Sequence, residues 1–278
     1  MYKSLSVVKK LNTPNDSRIT KLALEATECA IKHGLATHYK EAMDTPETLI
    51  VAIGGDGTML YAARRAIESG ATIVGINTGN LGFLTEFSPD ELCSTIKKAI
   101  TGKDVRVEER TMLSVEFDGS APQLAFNEIT ISNNESDKSI QYGLEIEGFT
   151  RSELGEHRAN CIIIATPTGS TAYSLNAGGA ILEPDLDIIQ IMPVAAMSMT
   201  TRPVVVGGDK EVIVTVRPQF DSKACLKLDG RTSSCFPLND PTEIRIRRHT
   251  RKVKMLHNMN WNFFSTLTEK LHWNRPII

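Results

Sequence analysis

The chain has 278 residues, 41% of them hydrophobic, which suffices for one large domain or two smaller ones. Its 31 basic and 33 acidic residues give a net charge of −2, which argues against a dedicated nucleic-acid binder. No apolar run has the length of a membrane span, and the first residues lack the apolar core of a secretory signal. We therefore expect a cytoplasmic protein that does not contact membranes.

Five cysteines, at positions 29, 93, 161, 225 and 235, agree with that compartment. Their number is odd, and no two have the spacing of a CxxC pair. The sequence indicates neither a disulfide framework nor a structural zinc site, and we expect reduced thiols.

The first hundred residues alternate between strand and helix patterns. Buried-type apolar runs predict strands, and apolar residues at helical spacing predict helices; Ser88 and Pro89 form a helix-start signal. The strands are expected at 5–8, 49–53 and 71–76, and the helices at 19–33, 59–68 and 88–100. This order predicts an open, mostly parallel α/β domain over residues 1–104.

The pattern changes near Val105, where short β-rich runs separated by turn residues begin. This spacing is typical of an all-β, sandwich-like domain, which we place at residues 105–257. A last helix over 263–271, within residues 258–278, is expected to complete the first domain. The predicted strands lie at 111–117, 124–131, 140–146, 161–165, 188–192, 204–206, 212–216, 225–228 and 243–246.

The pentapeptide Gly54-Gly55-Asp56-Gly57-Thr58 lies between a predicted strand and a predicted helix. Such a turn can place a phosphate on backbone N–H groups at the helix N-terminus. A carboxylate repels phosphate, so Asp56 needs a separate reason, such as accepting a proton from an attacking hydroxyl or holding magnesium. Alternatively, the segment is a tight turn in which Asp56 is only the N-cap.

Two common nucleotide-binding motifs do not fit this glycine loop. No Gly-Lys-Ser/Thr follows it as in a P-loop, and Leu60 stands where a dinucleotide-binding fingerprint needs a third glycine or alanine.

The segment 166–174, Thr-Pro-Thr-Gly-Ser-Thr-Ala-Tyr-Ser, directly follows the predicted buried strand 161–165. Glycines let a backbone approach a ligand closely, hydroxyls bond ribose or phosphate oxygens, and Tyr173 offers an aromatic face to a base. The alternative is an ordinary turn rich in serine and threonine.

The pair Asn127-Glu128 is a weaker candidate because it lies inside the predicted strand 124–131. Adjacent residues on a strand point to opposite faces, so at most one of them faces a pocket unless the strand ends there.

In this order and at about these separations, the three motifs resemble those of NAD kinases. The stretches 77–84 and Arg202-Pro203 are also similar to that family, and the resemblance runs from about residue 45 to the C-terminus. Diacylglycerol and sphingosine kinases and, more distantly, phosphofructokinases share the glycine loop. The segment 166–174 singles out NAD kinases.

The resemblance implies transfer of the ATP γ-phosphoryl group to the 2′-hydroxyl of the adenosine ribose of NAD, giving NADP. Asp56 would be the general base, and the donor phosphates would lie on Gly54, Gly55, Gly57 and Thr58. Mg²⁺ or another divalent cation would arrive with ATP, since the sequence shows no dedicated metal cage. The family also implies a homodimer or homotetramer.

The residues expected to bind NAD come from all three motifs and from positions near them. They are Asp56, Gly57, Asn127, Glu128, Arg158, Asn160, Thr168, Thr171, Ala172, Tyr173, Ser174, Leu175, Asn176 and Arg231.

Two other functions stay open at this point. A lipid kinase of the diacylglycerol type shares the glycine loop but gives no reason for the segment 166–174. A non-catalytic NAD(P)-binding regulator would have no chemical need for Asp56 among phosphates.

Several positions depart from the family pattern and indicate a divergent bacterial-type or mobile-element member. Asn160-Cys161 stands where Asp-Gly is usual, and Arg231 replaces a frequent glutamine and adds positive charge. The other departures are Asn176, Ala180 and Ala196-Met197.

We predict that Asn160 alters the affinity or selectivity for pyridine nucleotides, because asparagine keeps an acceptor oxygen but loses the charge of aspartate. Asn160→Asp should therefore change the KM for NAD. Steady-state kinetics with NAD as the varied substrate measure this, and an unchanged KM would count against the prediction.

Overall fold

The computed structural model describes residues 2–9, 17–79, 82–135, 138–149, 155–217 and 223–274. The chain divides into two compact units, Met1–Arg110 with Arg251–Ile278, and Thr111–Thr250. No helix of the described residues is long and apolar enough to cross a membrane.

The first unit is built on a sheet of six strands in the order β2-β1-β3-β4-β18-β5. Neighbouring strands from β2 to β18 run parallel, and β5 pairs antiparallel with β18. The strands are β1 (Ser4–Lys9), β2 (Ala36–His38), β3 (Thr48–Gly54), β4 (Thr72–Asn77), β5 (Val105–Arg110) and β18 (Val253–Asn258).

Helices α1 (Ser17–Lys32), α2 (Asp56–Ser69), α3 (Leu92–Thr101) and α5 (Phe263–Leu271) complete this unit. Every residue of β3 is buried, as expected of a central parallel strand that is covered on both faces. Helix α2 ends at Gly70, whose φ of 74° is the left-handed conformation of a helix C-cap. The predicted α/β domain with a parallel sheet is confirmed.

The second unit contains two antiparallel sheets of six strands in its described residues, in the orders β10-β9-β14-β17-β6-β7 and β13-β12-β11-β8-β15-β16. Apolar residues of both sheets form one core cluster, which confirms the predicted β-rich unit. A short helix, α4 (Tyr173–Asn176), follows β11.

The strands of this unit are short, and β6 to β17 all belong to it. They are β6 (Leu113–Phe117), β7 (Gln123–Ala125), β8 (Glu128–Asn133), β9 (Ile140–Ile146), β10 (Glu156–Ala159), β11 (Cys161–Ala165), β12 (Ile188–Val194), β13 (Val204–Gly207), β14 (Val212–Val216), β15 (Lys223–Leu228), β16 (Arg231–Pro237) and β17 (Thr242–Arg248).

One predicted strand is wrong in a way that matters for the site. The run 124–131 is two strands, because β7 pairs with β6 in one sheet and β8 pairs with β11 and β15 in the other. Phe126 and Asn127 form the crossing between the sheets, and β8 begins at Glu128.

The expectation of reduced thiols is wrong for one cysteine pair. Cys225 on β15 and Cys235 on β16 are register partners on neighbouring strands and form a disulfide. The hairpin brings them together, although their separation of ten residues is not the spacing of a CxxC pair. Cys29, Cys93 and Cys161 are free.

A buried ion pair holds helix α2 against the parallel sheet. The Arg65 guanidinium donates from Nε and Nη2 to Oδ2 of Asp44, at 2.9 and 2.5 Å, and from Nη2 to the Ser6 hydroxyl on β1 at 2.9 Å. The Asp44 side chain is fully buried and that of Arg65 is 4% exposed. Since Asp56 begins the same helix, this anchor also helps to place the glycine loop.

Replacement of Arg65 by methionine should destabilise the first unit by about 3–5 kcal/mol, because it leaves the buried Asp44 carboxylate without its hydrogen-bonded partner and with only His38 Nδ1 nearby, at 3.8 Å. Urea unfolding compared with the wild type measures the loss. Lys32→Met, which removes an exposed charge at the end of α1, is the matched control. Equal stability of the two variants would contradict the proposed anchor.

Candidate functional site

The glycine loop joins β3 to α2, as the sequence predicts. Gly55, in extended conformation, is the N-cap of α2, and Asp56 is the first residue of the helix. The alternative in which Asp56 is only the N-cap is therefore wrong. Gly54 must lack a side chain, since a Cβ there would collide with the side chain of Thr58. The N–H of Thr58 bonds the Gly55 carbonyl at 2.9 Å.

Two backbone N–H groups hold the Asp56 carboxylate. Phe83 N–H donates to its Oδ2 at 2.9 Å and Leu84 N–H donates to its Oδ1 at 3.0 Å. Gly82 makes this approach possible, because a Cβ at that position would overlap Oδ1 of Asp56. Each carboxylate oxygen retains a second lone pair, so the group can still accept a proton or a further hydrogen bond.

In the second unit, Thr166 ties the segment 166–174 to the Asn-Glu pair. Its hydroxyl donates to the Phe126 carbonyl at 2.7 Å, and its N–H donates to the Asn127 carbonyl at 2.9 Å. A Cβ on Gly169 would overlap the Asn127 carbonyl, so glycine is required there. The two motifs, distant in sequence, are therefore in direct backbone contact.

Asp229 supports this pair from the turn between β15 and β16, a role that the sequence reading missed. Its Oδ1 accepts the Phe126 and Asn127 N–H groups at 2.9 and 2.7 Å, and its own N–H bonds the Glu128 carbonyl at 3.0 Å. Asp229 has a φ of 50° and is followed by Gly230 at 73°. The Asp-Gly dipeptide was a turn signal that could have pointed to this residue.

Glu128 is a buried carboxyl group with a perturbed pKa. Burial, followed by the negative charge of Asp229, raises its pKa to about 7, while a hydrogen bond from the Tyr173 backbone acts in the opposite direction. Its side chain is 5% exposed, and its Oε2 has no hydrogen-bond partner among the described residues. An unpartnered, buried carboxylate oxygen beside Tyr173 suits a hydroxyl donor such as a ribose.

The hydroxyl residues of the segment 166–174 divide into two groups. Ser174 is fully buried and its Oγ bonds Oε1 of Gln190 at 2.5 Å, while Ser170 donates to the Pro167 carbonyl at 2.6 Å. Thr168 is buried, and its Oγ1 lacks a partner in the described part of the chain. The hydrogen-bonded hydroxyls of Ser170 and Ser174 therefore stabilise the turn. The Thr168 hydroxyl remains available to a ligand.

The remaining predicted residues of this segment lie nearer its surface. Tyr173 is 44% exposed, and burial of part of its ring raises the pKa of its phenol. Thr171, Ala172 and Leu175 are half-buried, and Asn176 is exposed at the end of α4.

Three predicted residues stand apart from these contacts. Arg158 is exposed on β10, the edge strand of the other sheet, and Asn160 is exposed at the bend that leads into β11. Arg231 is exposed at the start of β16, directly after the Asp229-Gly230 turn. Their predicted nucleotide contacts stay predictions.

Comparison with known proteins decides the family. Residues 6–104 match the ATP-NAD kinase N-terminal domain, and residues 94–258 match the ATP-NAD kinase C-terminal domain. The chain belongs to the ATP-NAD kinase family. The NAD kinase of Bacteroides fragilis is 39% identical over 228 residues, which cover 81% of this chain and 76% of that protein.

Solved structures of the family share the fold. An NAD kinase from Archaeoglobus fulgidus in complex with ATP is 26% identical, with a TM-score of 0.75 over 97% of this chain and 98% of that one. Yeast NADH kinase complexed with NADH has a TM-score of 0.84 at 20% identity, over 100% of this chain and 89% of that one. The resemblance inferred from the motifs is confirmed.

The Glu128 carboxyl should make stability depend on pH. Its ordinary pKa of 4.5 rises to about 7 on folding, so between these values the folded protein binds more protons than the unfolded chain. The free energy of unfolding should therefore fall as the pH rises from 4.5 to 7, by about 1.4 kcal/mol per unit of the pKa difference.

Glu128→Gln should remove this dependence, so its stability relative to the wild type should be greater at pH 8 than at pH 5. Urea unfolding at both pH values measures the difference, with Glu116→Gln, an exposed carboxyl of the same unit, as the control. Parallel pH dependence of wild type and Glu128→Gln would contradict the assignment.

Proposed function

We propose that this protein phosphorylates NAD to NADP, with ATP as the phosphoryl donor and Asp56 as the general base. The single observation that carries the role of Asp56 is the position of its carboxylate. Two loop N–H groups fix it at the first residue of α2, directly after a glycine turn of the kind that can place phosphates on helix N-terminal N–H groups. A fixed carboxylate with free lone pairs can accept the proton of an attacking hydroxyl.

In phosphoryl transfer, the protein contributes mainly by positioning the two substrates and by stabilising the charge that develops in the transition state. The bond between the γ-phosphorus of ATP and its bridging oxygen breaks, and ADP leaves with the electron pair. A bond forms between that phosphorus and the 2′-oxygen of the adenosine ribose, whose proton passes to Asp56. The N-terminus of α2, with Gly55 and Gly57, offers N–H groups and the positive end of the helix dipole to the phosphates.

Recognition of NAD falls to the residues around Asn127 and Glu128. The free Oε2 of Glu128, the free Oγ1 of Thr168 and the exposed ring of Tyr173 provide an acceptor, a hydroxyl and an aromatic face. Such groups suit ribose hydroxyls and a stacked base.

A divalent cation would accompany ATP in this proposal. The described residues contain no group of three or more His, Cys, Asp or Glu side chains that could hold a metal ion. Mg²⁺ in such sites is held mainly by substrate phosphates and water with few protein ligands, which leaves the Asp56 carboxylate to accept the proton. When bound, the ion would neutralise phosphate charge. We further propose a cytoplasmic location and a homo-oligomer, following the expectations from sequence.

The decisive experiment is to incubate the purified protein with ATP, Mg²⁺ and NAD and to measure NADP. The wild type should form NADP, and Asp56→Asn should lose about 10³-fold or more in kcat while NAD binding by calorimetry persists. Asp90→Asn, which alters an exposed aspartate of the same unit, should behave as the wild type.

Two results would contradict the proposal in different ways. A near-full rate in Asp56→Asn would remove Asp56 as the base. Binding of NADP without turnover by the wild type would favour the non-catalytic regulator.

A further inference from the structure

The first unit contains a cavity of about 230 Å³ that the glycine-loop motif does not itself form. One part of its lining is the loop that follows β4, including Gly82, Phe83 and Leu84. Another part is the C-terminal segment, including Glu269 and Lys270 of helix α5. The predicted role of α5 was only to complete the first domain, so these side chains have no function so far.

The loop that lines this cavity is the loop that holds the base. Phe83 and Leu84 donate their N–H groups to the Asp56 carboxylate, and Gly82 gives it room. The residues that anchor Asp56 are thus also part of the cavity wall. A ligand group in the cavity next to this loop would lie close to the reacting atoms.

Lys270 is the cation placed at this wall. Its side chain is half-buried, and in the described residues its ammonium forms neither an ion pair nor a hydrogen bond. Burial lowers its pKa, whereas the negative charges of Glu269 and Asp56 act to raise it. The ammonium has therefore lost part of its water and lies within range of the Asp56 charge, without being neutralised by a partner.

The other charged groups of the cavity are already engaged or exposed. Glu86 accepts hydrogen bonds from Nδ1 of His257 at 2.9 Å and from Nδ2 of Asn258 at 2.8 Å. Glu269 is exposed on the surface of α5. This leaves Lys270 available to an anionic ligand.

We propose that Lys270 is a catalytic residue whose ammonium binds the donor phosphates beside Asp56 during phosphoryl transfer. The glycine loop 54–58 contains no basic side chain, so its N–H groups alone offer only partial charges. A partly dehydrated lysine can exchange its remaining water for phosphate oxygens and stabilise the charge that develops on the leaving group. This role rests on the proposed function, and the following experiment separates the two.

The experiment compares NADP formation by the full-length wild type, Lys270→Met, Lys270→Arg and Lys97→Met, with ATP, Mg²⁺ and NAD. Lys270→Met should reduce kcat by about 10²-fold, since one charged group stabilising the transition state is lost, and leave the KM for NAD unchanged. Lys270→Arg should recover most of the rate. Lys97→Met, an exposed lysine of α3, should behave as the wild type.

The pH profile provides a readout that a merely structural role would not move. The wild-type kcat/KM for ATP, which reports the free enzyme, should fall at alkaline pH, below the ordinary lysine value of 10.5, as the ammonium loses its proton. Lys270→Arg should keep its rate to higher pH, because a guanidinium stays protonated there. Glu86, His257, Glu269 and Asp56 are the other titratable groups near Lys270, and both proteins share them.

The outcomes are distinct. An active wild type with Lys270→Met within two-fold of its kcat, or with identical alkaline limbs for wild type and Lys270→Arg, overturns the role of Lys270 alone. A wild type that forms no NADP overturns the proposed function and this inference with it. Loss of rate in Lys270→Met, recovery in Lys270→Arg and a shifted alkaline limb together support the proposal.

Discussion

The carboxylate of Asp56 is the constraint around which the first unit is arranged. Two N–H groups of the loop after β4 hold it at the start of α2, and the absence of a side chain at Gly82 makes the contact possible. A buried pair between Arg65 and Asp44 fixes the same helix near its other end. These contacts keep the negatively charged Asp56 carboxylate in one position within the glycine loop, whose own N–H groups are suited to binding phosphates.

In the second unit, an aspartate in the turn between β15 and β16 fixes the position of the Asn127-Glu128 pair. Asp229 occupies a left-handed conformation and holds the N–H groups of Phe126 and Asn127, where the chain crosses from one sheet to the other. The Thr166 hydroxyl donates to the Phe126 carbonyl, and the Thr166 N–H donates to the Asn127 carbonyl. Asn127 and Glu128 therefore owe their position to residues that lie forty and a hundred positions away along the chain.

Much of this could be predicted from sequence, because the signals were local. Buried apolar runs identified β3, β9, β11 and β14, and helical spacing identified α2 and α5. Two of the missed strands, β5 and β16, carry charged or polar residues, since strands at sheet edges need little apolar surface. The missed strand β18 is different, because it lies between β4 and β5 and most of its residues are buried. The short separation between β7 and β8 concealed a change of sheet that only long-range pairing reveals.

The site was predictable where a motif is contiguous and not where it depends on tertiary contacts. The glycine loop and the segment 166–174 could be identified from the types and order of their residues. The Asp56 anchor, the support from Asp229 and the cavity beside Lys270 each join segments that are distant in sequence. The pairing of Cys225 with Cys235 across a hairpin belongs to the same class.

The central claim, that Asp56 is a fixed base for a ribose hydroxyl, is tested most directly by a crystal structure of the complex with NAD. In this complex the adenosine 2′-oxygen should lie at a hydrogen-bonding distance of about 2.6–3.2 Å from the Asp56 carboxylate, with the Phe83 and Leu84 N–H bonds retained. A bound NAD whose 2′-hydroxyl points away from Asp56, or an Asp56 side chain released from the loop, would contradict it.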